Sequence, residues 1–193
     1  ISTEDFLDIL VALNPAALKL NFLDLKIGGI LIVDIDRFTE KDFIRAGYTF
    51  NPLLDSNIDN FKVIKISITN IVKQVLKNTL LSNSKILKTK NMFVMGIVCW
   101  LYDKQYFFIN NWIDKKFLDI NISDANKKVL LAGYNYSFTF EMPISQNFVF
   151  PKKLSKGSYR LISGNKAFVS SCLNIPNLFS RKLYIACYPI TPS

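Results

Sequence analysis

Tyr188-Pro189-Ile190-Thr191-Pro192 is the stretch of this chain whose residue types could hold one hydroxyl at a fixed point. Pro189 and Pro192 each lock their own φ and push the preceding residue away from helix. The apolar, β-prone run from Leu183 to Cys187 is therefore expected as a strand that ends here. In open α/β sheets ligands collect outside the carboxyl ends of strands, and a stiff loop there can offer the Thr191 hydroxyl to a bound molecule. The same features also fit an ordinary strand exit, and so short a motif does not separate the two.

Other chemistries are narrowed by what the chain lacks. It has no histidine, which removes Ser/His/Asp and Cys/His nucleophilic catalysis, His-ligated zinc and haem as roles for these residues. Cys99, Cys172 and Cys187 stand apart in apolar surroundings, and three thiols fall short of the four ligands of an ordinary iron–sulfur cluster. They are expected as buried, reduced thiols, which favours a cytoplasmic location. Asp34 and Asp36 have the spacing of a metal pair, but they end an apolar strand and are expected to cap or solvate it, so no metal ligands are assigned. There is no GxGxxG and no Walker loop, and Gly28 and Gly29 are expected as a plain turn.

The composition sets further bounds. With 193 residues, half of them hydrophobic, the chain can build one good core, or one domain and part of another. The net charge of +9 raises nucleic-acid binding, but the cations are mostly lysines spread through every segment, whereas base readers cluster arginine, asparagine and aromatic residues on one face. No nucleic-acid partner is expected. The most apolar stretch, Met92 to Tyr102, is well short of the roughly 20 residues that span a bilayer, so no membrane partner is expected either. The chain opens at Ile1 rather than methionine, and a targeting segment is not judged from it.

The elements that would position these residues alternate. "FLDILVAL" reads as a buried strand, and "NPAALKLNFLDL" as a helix with Asn14 as N-cap and Pro15 at its first position. "ILIVDID" is a second strand and "TEKDFIRAG" a helix capped by Thr39 and stopped by Gly47. "FKVIKISI" is a third strand, passing into the helical "TNIVKQVLKN". This order implies an α/β domain with a largely parallel sheet. "NMFVMGIVCWLY" is expected as a helix buried on most sides, with Gly96 admitting a close neighbour. "NNWIDKKFL" reads as an amphipathic helix, and "SDANKKVLLAGYNYS" as one capped by Ser123 or Asp124 and ending near Gly133. Residues 137–156 are expected as an extended crossover, after which Gly164 and Asn165 open a helix at Lys166 to Asn174.

Six stretches, "LVALNPAAL", "GGILIVDID", "KNMFVMGIVCWLYD", "ANKKVLLAGYNYS", "GSYRLISGNKA" and "YPITPS", occur in the order of similar segments in the 2-oxoacid:ferredoxin oxidoreductases. The chain most resembles the alpha subunit with a fused gamma domain, as in the 2-oxoglutarate:ferredoxin type. The resemblance implies that residues 1–136 are the carboxyl-terminal part of the gamma domain, 137–156 a linker, and 157–193 the truncated start of the alpha, pyrimidine-binding domain. It further implies a fragment of a subunit that works in thiamine-diphosphate-dependent oxidative decarboxylation of 2-oxoglutarate to succinyl-CoA, with ferredoxin reduced. Thr191 would then bind the 2-oxoacid, while Tyr188, Pro189 and Ile190 border the cofactor. Thiamine diphosphate and Mg2+ would be shared with a beta subunit, which alone carries the iron–sulfur cluster. Ferredoxin and coenzyme A would be the other partners, in a dimer of heterodimers. The activating carboxylate would lie downstream of this sequence.

Lys90 and Asn91 recur in the family pattern without an assigned role beyond helix initiation, and Lys166 stands where an acidic or neutral residue is commoner and is read as solvated. Two alternatives stay open: a non-catalytic scaffold segment of such a complex, and specificity for pyruvate or a branched 2-oxoacid. A nicotinamide-dependent dehydrogenase is disfavoured by the missing glycine fingerprint.

Overall fold

The computed structural model describes residues 6–140, 155–160, 162–180, 182–184 and 186. They fall into two compact units, Ile1–Val149 and Phe150–Ser193. In the first unit β1 (Leu7–Ala12), β2 (Leu25–Asp34) and β3 (Lys62–Ile66) form a parallel sheet in chain order. Val33 lies beside Ala12 and Ile32 beside Ile64. The expected α/β class with a parallel sheet is the one observed.

Both faces of this sheet are buried, as the nearly unbroken apolar run of β2 requires. Ile30, Ile32, Ile64 and Ile66 pack toward α3 (Ile68–Val75), α5 (Lys90–Leu101) and α7 (Ile120–Tyr136). Leu31 and Val33 point the other way, into a smaller core with Leu18 of α1 (Pro15–Asn21) and Ile58. Period-two alternation along one strand thus feeds two cores. Asn14 caps α1 by accepting from the Ala17 amide at 2.8 Å, and Thr39 caps α2 (Glu40–Arg45) through the Asp42 amide, both as expected.

Gly96 and Gly133 let α5 and α7 pack backbone to backbone. A Cβ on Gly96 would strike the Leu130 carbonyl of α7, and one on Gly133 would strike the Phe93 carbonyl of α5. The two backbones meet at a notch that only glycine leaves open. Around it Phe93 packs on Tyr136, and Trp100 meets the edges of Phe138 and Phe140.

Several expected boundaries shift. Gly28 and Gly29 are not a plain turn between elements. They lie inside β2 at a register break, where one residue of β1, Asp8, between Leu7 and Ile9, faces four of β2 between Leu25 and Ile30. Gly28 takes a φ of 78°, which side-chain-bearing residues rarely adopt, and Gly29 has no room for a Cβ beside the Lys26 and Asp8 carbonyls. α7 starts earlier than expected, capped by Asp119 through the Asn121 amide, and passes through Gly133 to Tyr136. Ser123 is not its cap: it is buried and donates to Asp114 of α6 (Phe107–Lys116). A further helix, α4 (Asn83–Lys88), capped by Ser82, had no counterpart in the sequence reading.

The expected crossover over 137–156 begins instead with a 3-10 turn, Ser137–Thr139, and residues 141–154 lie outside the described residues. In the second unit α8 runs from Gly164 to Phe179, capped by Ser163, longer than expected and through Pro176. Residues 182–184 and 186 show no strand, so the expected last strand is not found among the described residues. No helix among the described residues is long and apolar enough to cross a membrane.

Gly133→Ala is expected to destabilise the protein by about 1–3 kcal/mol through overpacking of α5 against α7. Gly164→Ala, at a helix start with open space around it, is expected to change stability by less than about 0.5 kcal/mol. Denaturant midpoints of the purified full-length protein measure both.

Candidate functional site

The residues expected to border a cofactor and substrate, Tyr188, Pro189, Ile190 and Thr191, lie outside the described residues. What the structure does describe is the carboxyl edge of the sheet, where α/β proteins commonly place function. Asp34 closes β2 on the face shared by Ile30 and Ile32, so its carboxylate turns toward the start of α3 and α5 rather than to solvent. Its side chain is fully buried.

Every acceptor position that matters there is engaged. Asp34 Oδ1 accepts from the Thr69 amide at 3.2 Å, while Oδ2 accepts from the Thr69 hydroxyl at 2.7 Å and the Lys90 ammonium at 3.0 Å. Lys90 also donates to the Thr69 hydroxyl at 3.2 Å, and its side chain is 15% exposed. A buried carboxylate without such partners would cost several kcal/mol, so the ammonium and the two Thr69 donors are what allow an ionised group at this position. Lys90 is the first residue of α5, where a cation opposes the helix dipole. The facing carboxylate offsets that opposition.

Asp36 extends the same device toward the surface. It accepts from the Asn70 amide and side-chain amide, both at 2.8 Å, and from the Ser67 hydroxyl at 2.6 Å. The N-cap residue Ser67 makes no capping hydrogen bond of its own, so the first amides of α3 are satisfied from the end of β2 instead. The two aspartates were expected to cap or solvate the strand they end; instead they accept from the first amides of α3, a helix that does not follow them directly in sequence, and Asp34 is buried rather than solvated. They do not form a metal pair: their oxygens face donors, and among the described residues no group of three His, Cys, Asp or Glu is placed to hold a metal ion. These residues do not fit a magnesium–diphosphate site.

Asp114 and the described cysteines sit in structural contacts. Hydrogen bonds from Lys127 and Ser123 hold the exposed Asp114 carboxyl below its usual value and tie α6 to α7. Burial pushes the Cys99 thiol up, away from the thiolate form that attacks or ligates, and Cys172 is buried as well. Cys187 lies outside the described residues. Asn91 and Lys166 are exposed, Lys166 in the first turn of α8. An open groove of about 560 Å3 beside α2, with Phe38, Phe43, Tyr48 and Phe50 on its walls, holds no cluster of charged groups.

No role beyond helix initiation is expected for Lys90 from the sequence alone. The available signal was its position: a lone cation opening a helix that is otherwise apolar on nearly all sides needs a carboxylate, and Asp34, ending the most apolar strand, also needs a partner. The pairing spans 56 residues and no local pattern encodes it.

Lys90→Met is expected to cost about 3–5 kcal/mol, because it leaves a buried carboxylate without its cation, and Asp34→Asn combined with Lys90→Met is expected to recover part of that loss. Equilibrium unfolding of the three proteins provides the comparison. Cys99 is expected to resist iodoacetamide in the native protein and to be alkylated once denaturant is added, read by mass spectrometry of the Cys99 peptide.

Residues 1–136 match the family Pyruvate ferredoxin/flavodoxin oxidoreductase. The chain is 34% identical over 187 residues to 2-oxoglutarate oxidoreductase subunit KorA of Mycobacterium tuberculosis, covering 96% of this chain and 29% of that protein. It spans, therefore, under a third of that relative's length. In structure it resembles a 2-oxoglutarate:ferredoxin oxidoreductase from Magnetococcus marinus, solved with 2-oxoglutarate, coenzyme A and succinyl-CoA bound, with a TM-score of 0.54 at 17% identity over 77% of this chain and 23% of the other. At that identity the likeness is one of fold. The match over 136 residues, on an α/β unit whose carboxyl edge is closed by its own aspartates, decides the matter: the chain belongs to the pyruvate ferredoxin/flavodoxin oxidoreductase family.

Proposed function

We propose that this chain is part of the alpha subunit of a 2-oxoacid:ferredoxin oxidoreductase that converts 2-oxoglutarate to succinyl-CoA while reducing ferredoxin. The observation that carries this reading is the similarity to KorA, which runs through 187 residues and so extends beyond the 136 of the family match toward the Tyr-Pro-Ile-Thr-Pro loop. Thiamine diphosphate, when bound, supplies the decarboxylation chemistry. Thr191 would donate its hydroxyl to the 2-oxoacid, and Tyr188, Pro189 and Ile190 would form a dry wall beside the cofactor. Two flanking prolines leave that hydroxyl little freedom to lose on binding. In this reading, residues 157–193 begin the pyrimidine-binding domain, and a beta chain completes the site with Mg2+ and an iron–sulfur cluster.

The first unit has a different part. Asp34, Asp36 and Lys90 spend their charges on one another and on α3, which favours a scaffold role for the gamma-like portion. Its rigid sheet edge would support assembly while the chemistry proceeds elsewhere. Both roles belong to one subunit.

The test is reduction of a low-potential dye by the full-length chain co-purified with its beta partner, dependent on both a 2-oxoacid and coenzyme A. 2-Oxoglutarate is expected to outperform pyruvate and branched 2-oxoacids. Thr191→Val removes one hydrogen bond to a charged substrate, so kcat/KM is expected to fall about tenfold to a hundredfold with assembly intact. No reduction with any 2-oxoacid in a cofactor-loaded complex would overturn the enzymatic reading, and full activity of Thr191→Val would remove the assigned role of that hydroxyl.

A further inference from the structure

We draw no further inference here: the strongest candidate, the open apolar groove of about 610 Å3 along α8 bordered by Phe168, Cys172, Ile175 and Leu178, carries nothing because nothing in the structure shows what covers it.

Discussion

Asp34 is the point at which strand, turn and helix are joined. Its buried carboxylate is reached by a cation from α5 and by two donors from α3, so the end of β2 cannot move without disturbing both helices. An apolar contact at the same place would tolerate sliding, because the hydrophobic effect is not directional. A charge pair in a dry site does not, since a displacement of an ångström or two leaves an ion without its partner. The carboxyl edge of the sheet is thereby held in one arrangement. Asp36 repeats the restraint one turn outward, where it takes over the capping of α3.

The second restraint is steric. Gly96 and Gly133 let α5 and α7 approach until backbone meets backbone, and the aromatic side chains of Phe93, Trp100, Tyr136 and Phe140 fill the space around the contact. Lys90 fixes α5 along its axis and the glycine notch fixes its distance from α7. Between them they orient a helix that could otherwise rotate freely, because its apolar residues leave no polar face to select a direction.

Much of this was legible in the sequence, and the exceptions share a cause. Asn14 with Pro15, Thr39 as a cap, the strand alternation and the tolerance for a close neighbour at Gly96 are local signals, and each appears where the residues imply. Misreadings arose where distant partners override local preference. Gly133 carries the mark of a helix stop, yet Phe93 from another helix uses it as a notch and α7 continues to Tyr136. Gly28 and Gly29 look like a turn, yet pairing with β1 absorbs them as a break in register. The helix expected over Lys166 to Asn174 runs on as α8 to Phe179: the proline at 176 removes one hydrogen bond without forbidding helical φ, and the helix ends at a left-handed Ser180. Of the candidate site, Asp34 and Asp36 were legible only as residues ending a strand; their helix-capping role and the pairing with Lys90 were not, because the partners lie in other elements.

One buried ion pair, Asp34 with Lys90, makes the end of β2, the start of α3 and the start of α5 a single cooperative unit. Amide hydrogen exchange of the full-length protein, followed by mass spectrometry in wild type and Lys90→Met, tests it most directly. Peptides containing residues 30–34, 67–72 and 90–97 are expected to be protected together in wild type and to lose protection together in the variant, while the α6 peptide is unchanged. Loss confined to the start of α5, with the β2 and α3 peptides as protected as before, would contradict it.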